Sequence, residues 1–141
     1  MKKKSTVHIN ADHFAPFIAA KEELDKKIKA EGETAIKAFF KEFFEKRPDV
    51  YGVKWMQYTP YFNDGSPCVF RLSGVYTFAT KEAFENTEDS RYDTEGAEEC
   101  YDEEPQISLE QIEDILEVIF GDHTTVAVTR TSIETEEYDH E

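Results

Sequence analysis

The sequence predicts one α+β domain, a four-stranded antiparallel sheet built from two hairpins, with a long N-terminal helix and a second helix on one face, in the order α-β-β-α-β-β. Three observations lead there. An apolar stripe at helical spacing runs from Phe14 to Phe43, and a second runs from Leu109 to Phe120. Each is followed by a pair of β-rich segments joined by turn chemistry. A chain of 141 residues fits a single domain, 1-141, that can bury one core without staples.

The first helix is expected from about Asp12, as N-cap, to Lys46, with Pro48 ending it. Phe14, Ile18, Ile28, Ile36, Phe39 and Phe43 set its stripe, and Phe17, Leu24, Ala35 and Phe40 widen it. The apolar face weakens between Asp25 and Glu33, and Gly32 costs about 1 kcal/mol inside a helix. One helix with a soft centre and two helices meeting near Gly32 are both open. Four Phe at 39, 40, 43 and 44 exceed what one narrow face can bury. They suggest either a sandwiched helix or an oligomer or partner interface through Phe40 or Phe44.

Val50–Thr59 and Cys68–Ala79 read as the first hairpin, and Asn63-Asp64-Gly65 lies in its loop. Thr80 caps a short helix with Ala83 and Phe84 facing inward. Residues 86–106 hold few apolar side chains and read as a mobile acidic insertion. Ser108-Leu109-Glu110-Gln111 is a capping-box pattern opening the second helix. Leu109, Ile112, Ile115, Leu116, Ile119 and Phe120 form its apolar face, and Gly121 its C-cap. Thr124–Thr129 and Ser132–Tyr138 form the last hairpin, turning at Arg130-Thr131 with Val126, Val128 and Ile133 inward.

The net charge of −15 is uneven. Residues 1–60 carry 12 Lys/Arg and 9 Asp/Glu, whereas residues 61–141 carry 4 and 22. The densest stretch, Glu82 to Glu104, has 11 acids against Arg91 alone. Such a field repels nucleic acid and anionic membrane and attracts basic surfaces, so direct nucleic-acid binding and membrane binding are not expected. It also serves plain solubility. No apolar run approaches the roughly 20 residues of a membrane span. Met1-Lys2-Lys3-Lys4 resembles a signal-peptide n-region, but Asn10, Asp12 and His13 interrupt any apolar h-region. A cytoplasmic location is expected.

No constellation points to catalysis or to a cofactor. His8, His13, His123, His140, Cys68 and Cys100 lack ligand spacing, so no metal site is expected. Cys68 reads as a small core residue, and the acids around Cys100 disfavour its thiolate. No glycine-rich phosphate loop is present. Two surfaces remain as binding candidates. One is an acidic face of Glu98, Glu99, Asp102, Glu103, Glu104, Glu110, Glu113, Asp114 and Glu117. The other is an anion pocket in which Arg71 or Arg130 clamps a ligand among Trp55, Tyr58, Tyr61, Phe62 and Asn63.

The segment Trp55-Met56-Gln57-Tyr58-Thr59-Pro60-Tyr61-Phe62-Asn63-Asp64-Gly65-Ser66-Pro67-Cys68-Val69-Phe70 resembles the W-x-Q-Y-T-P-Y-F-N-D-G-x-P-C-x-F segment of small proteins encoded by tailed bacteriophages. The ending Tyr138-Asp139-His140-Glu141 is similar to theirs as well. The resemblance implies a phage or prophage origin and brings no catalytic residue with it. It frames the leading expectation: a non-enzymatic accessory or counter-defence protein, in the cytoplasm of an infected cell, that binds a host protein with a basic surface, as nucleic-acid mimics do. The alternatives are a pocket protein sequestering a nucleotide-like ligand and a homo-oligomeric accessory protein assembled through the Phe39–Phe44 helix.

Overall fold

The computed structural model describes residues 11–60, 68–86 and 95–137. Ala11–Phe14 make one 3-10 turn that runs directly into α1, Ala15–Lys46. Asp12 therefore sits inside that turn and is not the N-cap. The cap position is Phe14, and Pro16 fits the first turn, where a missing N–H costs nothing. The helix is continuous through Gly32, and the reason is contact: a Cβ there would lie 2.6 Å from Ile119 Cδ1 and Cγ1. Glycine lets a second helix cross at that point.

Among the described residues the sheet has six strands rather than four. They are β1 (Gly52–Tyr58), β2 (Arg71–Leu72), β3 (Tyr76–Phe78), β4 (Ala97–Glu99), β5 (Thr124–Thr129) and β6 (Ile133–Glu137). Their spatial order is β4-β3-β1-β5-β6, with β2 also on β1, and every pair is antiparallel. The expected strand Cys68–Ala79 is split. Tyr58 pairs with Arg71 and Gln57 with Leu72, but Lys54 pairs with Tyr76, a register one residue later. This is a bulge at Ser73-Gly74-Val75. The Met56 N–H donates to Ser73 Oγ at 3.1 Å, and the Ser73 N–H donates to Met56 O at 2.7 Å. The bulge turns Leu72 and Val75 to the same side, where both are buried.

Part of the expected acidic insertion is structured sheet. β4 pairs with β3, and Cys100 behind it is buried, its N–H donating to Val75 O at 2.9 Å. Residues 87–94 of that insertion, together with Tyr138, lie outside the described residues.

The expected single helix from Ser108 is two: α3 (Gln106–Glu110) and α4 (Glu113–Phe120), broken at Gln111-Ile112. The capping box fails because helical structure starts two residues early, leaving Ser108 inside α3. Glu104 does the capping instead, accepting the Ser108 N–H at 3.2 Å. Gln106 is buried there and accepts the Val75 N–H at 3.2 Å, anchoring α3 to the sheet. Ile115, expected inside, is exposed. Gly121 does end α4, with φ 89° and its N–H on Glu117 O.

The helices do not all share one face. On the inner face, Ile36, Phe40, Phe43 and Phe44 of α1 and Leu109 and Leu116 of α3 and α4 cover Val53, Trp55, Val126 and Val128. Phe40 stacks on Trp55 at 5.8 Å and 15°. Phe40 and Phe44 are thus core residues, which removes them as an interface; truncating Phe40 to Ala would cost about 3–5 kcal/mol. On the outer face α2 (Lys81–Asn86), capped by Thr80 Oγ1 on the Ala83 N–H, seats Phe84 against Phe78 and over Gly52. Among the described residues no other helix covers the outer face.

Candidate functional site

The chain from β4 through α4 carries the expected acidic surface, and the structure sorts its nine carboxylates by use. Two hold the fold together. Glu113 is half-buried and accepts the Leu72 N–H at 2.6 Å, fixing α4 to the end of β2. Glu104 caps α3. The other seven, Glu98, Glu99, Asp102, Glu103, Glu110, Asp114 and Glu117, are exposed. Among the described residues, none of these seven lies within 4 Å of a lysine or arginine nitrogen. Burial, with help from Asp122 and Asp114, raises the Glu117 carboxyl above its ordinary value.

Both edges of the sheet are acidic. β4 presents Glu98 and Glu99, and β6 presents Glu134, Glu136 and Glu137, all exposed. Charge on an edge strand blocks pairing with a further strand, so part of the acidity serves to keep the sheet finite. Glu134 and Glu136 project to the outer face, opposite Ala127 and Thr125. With Glu85, Phe84 and Lys54 they line an open groove of about 940 Å³. The Lys54 ammonium donates to Phe84 O and lies 4.5 Å from the Phe84 ring centre. Burial lowers its pKa, against the pull of Glu136 and Glu85. This groove is absent from the expectations because a lone lysine and alternating glutamates carry no motif. The signal was the β6 alternation itself.

Of the expected anion pocket, the described residues place Trp55, Tyr58, Arg71 and Arg130. Tyr58 and Arg71 are cross-strand neighbours at one end of β1. Arg130 follows the other end, where Gly52 pairs with Thr129. Six residues of strand, about 20 Å, separate the two arginines. Trp55 is fully buried against Phe40 and Phe120 and offers no wall to a ligand. Arg130 donates to Val50 O at 2.7 Å, Pro48 O at 3.3 Å and Arg47 O at 3.4 Å, and its guanidinium lies 4.9 Å from the Phe44 ring centre. It closes the end of α1 rather than holding an anion. Tyr61, Phe62 and Asn63 lie outside the described residues.

Cys100 is buried, and burial pushes its thiol up to about 11, so it stays protonated at neutral pH. Cys68 is half-buried, and the two cysteines are not joined in a disulfide. Among the described residues no group of three His, Cys, Asp or Glu is placed to hold a metal ion, and no helix is long and apolar enough to cross a membrane. The molecule is thus an α+β protein with a long helix, a mostly antiparallel sheet and an exposed carboxylate surface. No family model, curated protein or solved structure matches the chain.

Proposed function

We propose that this chain is a non-enzymatic binding protein that docks on a basic surface of a partner protein through the carboxylates running from β4 to α4. The observation that carries this reading is the set of seven exposed carboxylates, Glu98 to Glu117, none within 4 Å of a described lysine or arginine nitrogen, on a chain of net charge −15. Unpaired surface carboxylates raise the local negative potential and speed encounter with a cation-rich face. They resemble the phosphates a nucleic-acid-binding surface receives. The resemblance of the Trp55–Phe70 segment to tailed-phage proteins supports a host protein as the partner, hence an accessory or counter-defence role in an infected cell.

The test is capture of partner from a bacterial host lysate at low and high salt. It uses the wild type and a variant carrying Glu98→Gln, Glu99→Gln, Asp102→Asn and Glu103→Gln. Capture should fall steeply with salt and should be weaker for the variant at low salt. Capture indifferent to both would overturn the reading.

A further inference from the structure

We infer that the projecting half of α1 is the contact surface of an antiparallel homodimer. The helix has two unlike halves. From Gly32 onward it lies against α4 and the sheet, burying Ile36, Phe40, Phe43 and Phe44. Before Gly32 it extends 17 residues, about 25 Å, with only Asp25 and Ile28 half-buried. That half and the cap residue before it carry four large apolar side chains in water: Phe17 is 72% exposed, Phe14 59%, Leu24 56% and Ile18 55%. With Ile28 they recur at intervals of three, four and seven, continuing the stripe that α1 buries further on. The other exposed large apolar residues among those described, Val69, Tyr101, Ile107 and Ile115, are scattered through loops, α3 and α4.

Two arguments select a second copy of this chain as the occupant. The first is charge. The molecule as a whole carries −15 and repels its own kind. In the projecting half, Lys21, Lys26, Lys27 and Lys29 cancel Glu22, Glu23, Asp25 and Glu31. It is a neutral surface on an acidic molecule, so like copies can meet there. The second is area. Four side chains exposing roughly 100–150 Å² each give about 400–600 Å² per copy. Two copies then reach about 1,000 Å², the lower bound of a specific interface.

Charge also sets the direction. In a parallel pair Lys21 would face the partner's Lys21, and the two acidic bodies would lie side by side. In the antiparallel register that places Ile18 against the partner's Ile28, Lys21 faces the partner's Asp25. The two pairs formed within the two helices, at 3.3 Å in each, are then exchanged for two across the interface. The bodies sit at opposite ends.

Size-exclusion chromatography with light scattering tests this across protein concentration and salt. The mass should rise from 16.3 kDa toward twice that value with concentration. It should rise further with salt, which screens repulsion between the bodies. That trend is opposite to the one expected for docking on a basic partner, so the two readings fail separately. Phe17→Glu and Leu24→Glu should each give a monomer with unchanged circular dichroism, since neither side chain touches the core. Tyr101→Glu, equally exposed but off the stripe, should leave the dimer intact. A single-chain mass at every concentration, or a dimer that survives Phe17→Glu, would overturn the inference and assign the stripe to a different partner.

Discussion

The indole N–H of Trp55 donates to the side-chain oxygen of Gln57 at 3.0 Å, in a core where both residues have no exposed surface. The same amide uses its nitrogen on Leu116 O at 2.9 Å and on Gly121 O at 2.8 Å. One side chain thus satisfies a tryptophan donor and two carbonyls at the end of α4. Gln57→Leu keeps the volume and removes all three hydrogen bonds. The expected loss is about 2–4 kcal/mol. It is read as a lower urea midpoint at unchanged slope, with Trp55 fluorescence as the reporter.

Asp122 ties the end of β1 to the start of β5. Its carboxylate accepts the Thr59 N–H and the Thr59 hydroxyl, both at 2.7 Å, and the His123 N–H at 2.8 Å. Burial alone would raise its pKa, but these hydrogen bonds outweigh it and hold the carboxyl below its ordinary 3.8. A depressed carboxyl stabilises the fold fully above that ordinary value and loses the contribution as pH falls through the lower, folded value. Asp122→Asn should therefore cost about 1 kcal/mol at pH 7 and progressively less below pH 4. Thermal melts of both proteins from pH 7 to pH 2.5 check this. A gap that stays constant counts against the account.

Arg130 and Arg71 should separate cleanly. Arg130→Ala removes three carbonyl contacts and the stacking on Phe44, and is expected to cost about 1–3 kcal/mol. Arg130→Lys should recover only part, because an ammonium cannot reproduce a planar fork spread over three carbonyls. Arg71 is exposed on a two-residue strand, and Arg71→Ala should stay within about 0.5 kcal/mol. Chemical denaturation of the three variants is the measurement.

Much of the fold is legible in the sequence because period and burial agree there. Thr124–Thr129 alternates and is a strand over those same residues, and Thr80 and Gly121 act at the helix ends their chemistry suits. Where expectation and structure part, a tertiary contact outranks a local signal. Ser108 heads a sound capping box, yet Gln106 is needed on the Val75 N–H and draws the helix start forward. Ser73 would sit in an unbroken strand, but its hydroxyl takes the Met56 N–H and the register shifts. Gly32 reads as a weak point and is a crossing point, since nothing local announces Ile119. The acidic surface was legible as composition. Its division into structural carboxylates such as Glu113 and outward-facing ones such as Glu98 was not, because it depends on which backbone N–H each carboxylate meets.

The arm formed by the first half of α1 has a hydrodynamic consequence. A body with a rod of about 25 Å projecting from it drags more solvent than a sphere of equal mass. A single chain will elute early from a sizing column and tumble anisotropically, imitating a larger particle. Retention volume alone would then report an assembly where none exists, so mass must come from scattered light or sedimentation equilibrium.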